Sequence, residues 1–382
     1  MDTPFQASCE AAALEWDVPA LAAGYSLDGR AETGAVGCEL ETVFRIASIT
    51  KPVTATLALE LLDPEEVPGV WPSDVRLRHL LSHTSGFDCE LPERDLARFG
   101  DGDDALGRAV AELGSVRRWV GVEQVWSYAN TGYWLAGHLA AERAALPYED
   151  AVAERVLGPA GLESTSFGEP DLAGTGRDAG SGPYPRARRP SGGLASNVPD
   201  LLRLGRFLLE HRETARMRIV HGKPPGGVYG LGLFGERVGG VEVWGHGGSY
   251  DGFQSSLLVV PDRGAVFAGV TNSSVGAKAL RLVEDAFFER AVRARRRVPE
   301  TVVLDAAALE TFAGSYANSD GWFEVTPSLD GLVVTFEDGD YPARAIGERT
   351  FEIVGGERVR DRFDFPLEGF GRFGGRLAER VA

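Results

Sequence analysis

Lysine and cysteine are both scarce in this sequence of 382 residues. Only three lysines stand among the 39 basic residues, so that arginine carries almost all of the positive charge. The three cysteines are odd in number and far apart along the chain, which indicates neither a disulfide framework nor a zinc site. Buried free thiols are the simpler interpretation.

Basic residues are also fewer than acidic residues, 39 against 56. The formal net charge of −17 argues against nucleic acid or an anionic membrane surface as a partner, because both require a basic footprint. No apolar run approaches the length of a membrane span, and the stretch MDTPFQASCEAAALEWDVPA lacks the basic start and apolar run of a secretory signal. We therefore expect a cytoplasmic protein whose partners are small molecules, with self-association left open.

The apolar content of 43% is enough for a large core, and the length exceeds that of one average domain. Periodicity predicts helices over residues 5–16, 53–62 and most of 74–160, with breaks at Ser85-Gly86 and around Gly121, and a further helix at PDLLRLGRFLLEHRE. Asp28-Gly29 between two alternating stretches predicts a β-hairpin. From residue 228 onward, four strand-like stretches separated by turn residues predict an antiparallel meander.

A basic stretch, RARRRVPE, separates this region from a series of short strands at regular spacing. These strands and the turn residues between them predict a small β-barrel or half-barrel. We therefore predict two domains, residues 1–297 and residues 303–382.

The scarce residue Lys51 lies three positions after Ser48 in the stretch FRIASITKPVTA. Pro52 is tolerated only in the first turn of a helix, which predicts Ser48 at the helix N-terminus and on the same face as Lys51. A desolvated lysine can lose its proton, whereas arginine in practice cannot, and a serine beside a neutral lysine is an activated nucleophile. The alternative is that Ser48 caps the helix and Lys51 is a surface charge, and the Ser-x-x-Lys spacing alone does not decide between them.

A second candidate element is Ser127-Tyr128-Ala129-Asn130, directly before the helical stretch TGYWLAGHLAAERAA. A tyrosine whose proton is drawn off by a nearby ammonium can serve as general base toward Ser48. The amide of Asn130 can donate to a substrate carbonyl and hold the lysine in place. Taken alone, this element is better explained by Asn130 as a helix cap and Tyr128 as a core residue.

The third candidate element is WGHGGS at residues 244–249, at the end of one predicted strand and before another. Gly247 and Gly248 would let a substrate backbone lie along the strand edge without Cβ clashes. The N–H of Ser249 can complete an oxyanion hole opposite that of Ser48. The alternative, a glycine-rich turn in which His246 is incidental, is the better interpretation when the element is taken alone.

In this order, the three elements resemble the motifs of the serine β-lactamase and penicillin-binding-protein superfamily, which run Ser-x-x-Lys, Tyr-x-Asn and Lys/His-x-Gly. The stretches FRIASITKPVTA, VRLRHLLSHTSGF, SYANTGYWLAGHL, SGGLASNVPDLLRLGRFL and GHGGSYDGFQSSLLVVPD are similar to those of class C-like members, family VIII esterases and D-aminopeptidases. The resemblance covers about residues 5–290 and implies an α/β (α+β) fold, with a mainly antiparallel sheet flanked by helices and a helical subdomain. The C-terminal region more weakly resembles the lipocalin-like β-domain of some of these peptidases.

The resemblance also implies roles for individual residues. Ser48 would be the acylated nucleophile, Lys51 its proton partner, and Tyr128 the base for acylation and for the deacylating water. The backbone N–H groups of Ser48 and Ser249 would form the oxyanion hole. The catalytic side chains implied in this way are Ser48, Lys51, Tyr128, Asn130 and His246.

One departure from the superfamily pattern bears on the substrate. The third motif begins with His246, where β-lactamases and transpeptidases carry a lysine that anchors a carboxylate, and histidine is only fractionally charged near pH 7. We therefore expect a serine hydrolase that acts through an acyl-enzyme on carboxylic esters, amides or D-amino-acid peptides. A true β-lactamase and a catalytically silent binding protein of the same fold are the alternatives.

His79 and His83 lie four residues apart in RHLLSHTSG, a spacing that could mimic a metal-binding pair on a helix. No third ligand is apparent nearby, and in the resemblance this stretch is structural. We therefore expect neither a metal nor a cofactor.

Overall fold

The structure is a computed structural model that describes residues 4–91, 96–177, 179, 180 and 182–381. Its helices are α1 (Pro4–Glu15), α2 (Thr50–Leu61), α3 (Leu77–Leu81), α4 (Ala105–Ala111), α5 (Asn130–Ala144), α6 (Tyr148–Val152), α7 (Gly158–Ala160), α8 (Arg189–Gly192), α9 (Val198–Glu210), α10 (Thr214–Met217), α11 (Gly276–Phe287) and α12 (Ala306–Glu310). Three predicted helices are confirmed as α1, α2 and α9. The prediction that most of residues 74–160 is helical is only partly right. The expected breaks at Ser85-Gly86 and around Gly121 are present, but they extend over the irregular segments 82–91 and 116–129. None of the helices in the described ranges has the length and apolar character needed to cross a membrane.

The N-terminal three quarters of the chain are built around an antiparallel sheet. Its strands and a separate short pair are β1 (Leu21–Leu27), β2 (Arg30–Val36), β3 (Phe44–Arg45), β4 (Ala195–Ser196), β5 (Val228–Tyr229), β6 (Phe234–Val238), β7 (Val241–Tyr250), β8 (Phe253–Val260) and β9 (Ala265–Thr271). Seven strands form the sheet in the order β2-β1-β9-β8-β7-β6-β5, while β3 pairs with β4. The predicted hairpin is β1–β2 and the predicted meander is β5–β9, and both are confirmed.

Helices cover the sheet on both faces. Along β9, Val266 and Ala268 belong to the core that includes α9, whereas Ala265 and Phe267 belong to the core formed with α1 and α11. This alternation follows from the two-residue period of a strand. Burial on both faces explains why β9 is apolar without interruption.

Helix α2 lies in the middle of the helical region. Every residue from Thr50 to Leu59 is buried, which explains why this part of the sequence is apolar or small on all sides of the helix. Pro52 occupies the first turn, where its missing N–H leaves no hydrogen bond unmade. Because α2 packs against α5 and α8, its N-terminal end with Lys51 is enclosed.

The C-terminal region is a closed barrel of eight antiparallel strands. They are β10 (Gly314–Asn318), β11 (Gly321–Ser328), β12 (Gly331–Phe336), β13 (Gly339–Ala345), β14 (Thr350–Ile353), β15 (Arg362–Leu367), β16 (Phe370–Phe373) and β17 (Arg376–Arg380). The barrel has a core of its own, in which the rings of Phe351, Phe363 and Phe365 contact one another. The predicted small barrel is confirmed. The domain limits at residues 297 and 303 stay a prediction, although residues 293–305 contain neither helix nor strand.

Two turns of the barrel dock against the helical region. At the β16–β17 turn, the Gly375 carbonyl accepts from the Tyr128 N–H (2.9 Å), and the Leu377 N–H donates to the Ser127 hydroxyl (3.0 Å). At the β10–β11 turn, the N–H of Ser319 donates to the carboxylate of Asp88 (3.1 Å). The first contact holds Ser127 and Tyr128 of the second motif. The second holds Asp88, in the 88–90 segment that packs beside that motif.

Candidate active site

Ser48 lies in a tight turn immediately before α2. Residues Ala47–Ile49 form one 3-10 turn that leads directly into the helix. Ala47 has a φ of +44°, a left-handed conformation that costs a non-glycine residue on the order of 1 kcal/mol or more. The Thr50 hydroxyl holds the turn, donating to the Ala47 carbonyl (2.7 Å) and accepting from the Leu194 N–H (3.1 Å). This turn places Ser48 at the helix N-terminus, where the sequence predicts it.

Lys51 is fully buried and makes three hydrogen bonds. Its Nζ lies 3.2 Å from Ser48 Oγ, 2.8 Å from Asn130 Oδ1 and 2.6 Å from the Ser191 carbonyl oxygen. Burial, reinforced by the Arg188 guanidinium, holds the pKa of Lys51 well below its usual value. When the amine is neutral, the Asn130 and Ser191 oxygens, which only accept, take both of its N–H bonds, and its lone pair faces Ser48. This is the arrangement of a base beside a serine.

The hydroxyl of Tyr128 also contacts Ser48, donating to Oγ over 2.9 Å. Nζ of Lys51 lies 4.7 Å from the centroid of the Tyr128 ring. Burial raises the pKa of Tyr128, and the hydrogen bond to Ser48 and the charge of Arg376 only partly offset this effect. The resting tyrosine is therefore a protonated phenol that donates to Ser48, and when Lys51 is neutral the Ser48 hydroxyl can donate to its amine.

Asn130 is the first residue of α5, and the cap position before it is occupied by Ala129. The interpretation of Asn130 as a helix cap is therefore wrong. Its Oδ1 accepts from Lys51, and its Nδ2 donates to Oε1 of Glu90 (2.5 Å). The N–H of Asn130 donates to the Cys89 carbonyl (3.1 Å). Asn130 thus connects Lys51 to the 88–90 segment.

His246 lies inside strand β7, so the alternative of a glycine-rich turn is wrong. Its Nδ1 lies 2.6 Å from the Gly247 carbonyl oxygen, which can only accept, and the ring proton is therefore assigned to Nδ1. Its Nε2 lies 3.0 Å from the Tyr229 hydroxyl and accepts from it. Burial and the charge of Lys51 lower the pKa of His246 to about 3. The ring is neutral near pH 7 and offers no fixed charge to a substrate carboxylate.

Strand β7 extends beyond the end of its neighbour β6. Its pairing with β6 ends at Gly245, whereas its pairing with β8 continues to Tyr250. The strand passes so close to the Ser48 turn that a Cβ added at Gly248 would lie 2.2 Å from the Ile46 carbonyl oxygen. Only glycine fits at this position, and the close approach brings the third motif beside Ser48.

A cavity of about 1060 Å³ opens at Ser48. Lys51 and Asn130 are buried and lie outside the set of described residues that line it. The barrel contributes residues 373–376 to its wall. The predicted site residues that line the cavity are Ser48, Tyr128, His246, Gly247, Gly248 and Ser249.

Sequence reasoning missed three charged residues around this cluster, namely Glu90, Arg188 and Arg376. Nη2 of Arg188 donates to Oε1 of Glu90 over 3.0 Å. Arg376 comes from the barrel, where it pairs with Asp320, and its guanidinium lies 5.8 Å from the ring centroid of Tyr128. These residues reach the site from irregular segments and from a separate core, so no spacing relative to the motifs could have indicated them.

His79 and His83 do not share a helix. Helix α3 ends at Leu81, and His83 lies beyond it with a φ of +59°. Nε2 of His79 lies 3.3 Å from Glu123 Oε1, whereas Nδ1 of His83 accepts from the Ala129 N–H (3.0 Å). Within the described ranges, no three or more His, Cys, Asp or Glu side chains are grouped so as to hold a metal ion.

Known proteins share both the sequence pattern and the fold. The family model described as Beta-lactamase matches residues 10–287. Penicillin-binding protein 4 of Amycolatopsis lactamdurans is 28% identical over an alignment of 320 residues that covers 69% of this chain and 79% of that protein. The crystal structure of SurE with D-Leu has a TM-score of 0.76 at 24% identity and covers 99% of this chain and 98% of SurE. A D-stereospecific amidohydrolase from Streptomyces sp. has a TM-score of 0.62 at 27% identity, over 72% of this chain and 97% of that structure.

The fold and these comparisons define the class of this protein as an enzyme, a serine hydrolase. Since the family model spans more than half of the sequence, the chain belongs to the Beta-lactamase family. The resemblance to the superfamily and the predicted fold class are thereby confirmed. The likeness to SurE extends the agreement in fold over the C-terminal barrel as well.

Proposed function

We propose that Ser48 is the nucleophile of this hydrolase and forms an acyl-enzyme with carboxylic esters or amides. The observation that carries the proposal is the cluster around Ser48 Oγ, with Lys51 Nζ at 3.2 Å and the Tyr128 hydroxyl at 2.9 Å. A serine within reach of a neutral amine and a phenol has a base for the attack and an acid for the leaving group.

In acylation, Lys51 takes the proton of Ser48 as Oγ attacks the substrate carbonyl. The lowered pKa of Lys51 favours a neutral amine that can accept this proton, and the raised pKa of Tyr128 keeps the phenol protonated. Tyr128 then donates its proton to the departing amine or alkoxide. The family resemblance gives Tyr128 the role of base in this step, but the directions of the two pKa shifts favour Lys51.

In deacylation, the roles reverse. The acyl-enzyme contains a Lys51 ammonium and a Tyr128 phenolate, and the 4.7 Å between Nζ and the ring centroid lets the two charges stabilise each other. The phenolate takes a proton from water, the hydroxide attacks the acyl carbon, and Ser48 leaves with the proton of Lys51. Here Tyr128 has the role that the resemblance implies, and Asn130 keeps the amine in place through its hydrogen bond to Nζ.

The backbone N–H groups of Ser48 and Ser249 are the proposed oxyanion hole. The approach of β7 to the Ser48 turn at Gly248 supports this assignment, as does the presence of both residues in the cavity wall. Ser48 also lies at the N-terminus of α2, where the helix dipole favours developing negative charge. Donors fixed in this way contribute roughly 10²–10³ each to kcat in other acyl-transfer enzymes.

As substrates we propose esters and amides of D-amino acids or short peptides. The neutral His246 supports this, because the site lacks the lysine with which β-lactamases hold a carboxylate. Two of the similar structures are a D-stereospecific amidohydrolase and SurE holding D-Leu. β-Lactam hydrolysis is the second candidate, and membership of the Beta-lactamase family favours it.

A cytoplasmic location is also proposed. Cys9 and Cys89 are buried free thiols, which fits a reducing compartment. Self-association of the chain stays a prediction.

The decisive experiment is a hydrolysis panel with wild type and Ser48→Ala. It contains short-chain p-nitrophenyl esters, D- and L-alanine amides, and nitrocefin. We expect turnover of the esters and a preference for the D-amide, with a loss of at least about 10³-fold in Ser48→Ala. A nitrocefin rate equal to that of the best ester would favour the second candidate. Failure of a fluorophosphonate to label Ser48 in the folded protein would contradict the proposal.

A further inference from the structure

An ion pair between a buried carboxylate, Glu90, and a partly exposed guanidinium, Arg188, lies directly behind Asn130. Oε1 of Glu90 accepts from Nδ2 of Asn130 over 2.5 Å and from Nη2 of Arg188 over 3.0 Å. Glu90 is only 8% exposed. Neither Glu90 nor Arg188 is among the described residues that line the catalytic cavity. Glu90 contacts Asn130 directly, and Arg188 contacts Glu90.

This pair determines how Asn130 presents its amide to Lys51. Because a carboxylate only accepts, Nδ2 must face Glu90, and Oδ1 is thereby turned toward Nζ of Lys51 at 2.8 Å. The segment of Arg188 supplies the other acceptor, the Ser191 carbonyl oxygen at 2.6 Å from Nζ. The Ser191 hydroxyl in turn donates to the Arg188 carbonyl (3.0 Å). Of the two groups that orient the amine of Lys51, Asn130 is therefore held by the Glu90 carboxylate of the pair, and Ser191 by the backbone carbonyl of Arg188.

We propose that Glu90 and Arg188 are positioning residues, which together orient the amine of Lys51 toward Ser48 and balance the charge around it. The inference rests on the proposed role of Lys51 as the base for acylation.

Groups from every element around Lys51 contribute to its charge environment. After burial, Arg188 has the largest effect and lowers the pKa of Lys51, Glu90 raises it, and Arg376 lowers it. The two members of the pair thus act with opposite sign, which allows a test by neutralising each charge. The titratable and charged groups that face Lys51 are Glu90 and His83 from residues 82–91, Tyr128, Tyr133 of α5, Arg188, His246 of β7 and Arg376 of β17.

The test is the pH dependence of fluorophosphonate labelling at Ser48 in Glu90→Gln, in Arg188→Gln and in the double variant. Labelling needs a neutral Lys51 and therefore rises with pH through the pKa of Lys51. Glu90→Gln should move this rise to lower pH, Arg188→Gln should move it to higher pH, and the double variant should return it toward wild type. Arg186→Gln breaks a neighbouring ion pair and, as the matched control, should leave the rise unmoved.

A second readout is hydrolysis of a p-nitrophenyl ester. Glu90→Ala should lower kcat/KM by on the order of 10²-fold, because Asn130 loses the acceptor that orients it. Glu90→Gln should keep most of the activity, since its amide oxygen still accepts from Asn130.

The proposal is wrong if folded variants lose activity equally at all pH values while the labelling rise stays where it is in wild type. If Arg188→Gln does not fold, as judged by circular dichroism, the Glu90→Gln shift alone decides. Absence of label on wild-type Ser48 would instead overturn the proposed function. Normal labelling without shifts in the variants would overturn only the positioning role.

Discussion

Lys51 can accept the proton of Ser48 only if it can become neutral, and its complete burial among few compensating charges makes this possible. Arginine of similar length cannot do so, because a guanidinium stays charged at any physiological pH. We therefore expect Lys51→Arg to lower kcat/KM by about 10²–10⁴-fold, the usual contribution of a general base. Steady-state hydrolysis of a p-nitrophenyl ester measures the effect.

The control for this substitution is Lys223→Arg, the same exchange at an exposed lysine. It should leave kcat/KM unchanged. Comparable activity in the two variants would contradict the assignment of Lys51 as the base.

His246 links the site to the acid stability of the fold. Its pKa is about 3 in the folded protein, whereas the pKa of a histidine in the unfolded chain is about 6.5. As the pH falls between these values, the unfolded chain takes up a proton that the folded chain does not bind. The free energy of unfolding should therefore decrease over this range.

Urea unfolding at several pH values measures this dependence. We expect His246→Gln to show a shallower decrease than wild type between about pH 6.5 and pH 4. Identical slopes for the two proteins would mean that His246 does not stay neutral in the fold.

The motif residues could be predicted from the sequence because each motif is local. Ser48 and Lys51 are one helical turn apart, and Pro52 marks the start of that helix. Glu90 and Arg188 could not be predicted, because Glu90 reaches Asn130 from an irregular segment and Arg188 reaches Glu90 from a short 3-10 turn, and the path of both depends on long-range packing. The three motifs specify residue types at fixed spacing, but they do not specify which charged residues from distant parts of the sequence pack beside them.

At the scale of elements, the β16–β17 turn forms part of the site wall. Gly375 has a φ of +79°, and an added Cβ would lie 3.0 Å from the ring of Trp126 and 3.6 Å from Cβ of Tyr128. Gly369, in the β15–β16 turn, has a similar φ of +76° with nothing within 4 Å. Alanine is strained at both positions, but only at Gly375 does it also crowd a neighbour, the ring of Trp126, which lies directly before the second motif.

Thermal unfolding and ester hydrolysis separate these two effects. Gly369→Ala and Gly375→Ala should lose similar amounts of stability, of about 1 kcal/mol or more. Only Gly375→Ala should also lose activity, by about ten-fold or more, because a small displacement of a catalytic group is costly. Equal activity in both variants would show that the turn does not position Tyr128.

The regular elements were predictable and the segments between them were not. Helix α2 and strands β5–β9 follow from apolar periodicity and from turn residues. The sequence indicates only short breaks, at Ser85-Gly86 and around Gly121, whereas the irregular segments extend over residues 82–91 and 116–129. Their backbone polar groups find partners elsewhere, as when the Trp119 N–H donates to the Gly86 carbonyl (2.9 Å) and the Ser127 N–H to the His83 carbonyl (2.9 Å). Such long-range pairing overrides local helix propensity.

At the scale of the whole molecule, residues 293–305 are not the only connection between the barrel and the N-terminal region that matches the Beta-lactamase family. Arg372 is 4% exposed, and its Nη1 donates to the Trp126 carbonyl over 2.6 Å. Lys278 of α11 pairs with Asp361 of the barrel at 2.6 Å. The Arg372 contact is buried, and a buried polar contact is lost at a high cost when one partner is removed, whereas the partly exposed Lys278–Asp361 pair contributes less. The barrel should therefore stay docked without a covalent connection.

Cleavage of the linker tests this inference. A protease site inserted between Val298 and Val303, both strongly exposed, would allow the chain to be cut after folding. We expect the two parts to co-elute in size-exclusion chromatography and to retain the ester hydrolysis of the uncut protein. In increasing urea, separation of the parts and loss of activity should coincide, because Tyr128 and Ser127 then lose their partners in the barrel. A separated N-terminal part with full activity would show that the barrel is not required to hold the second motif in place.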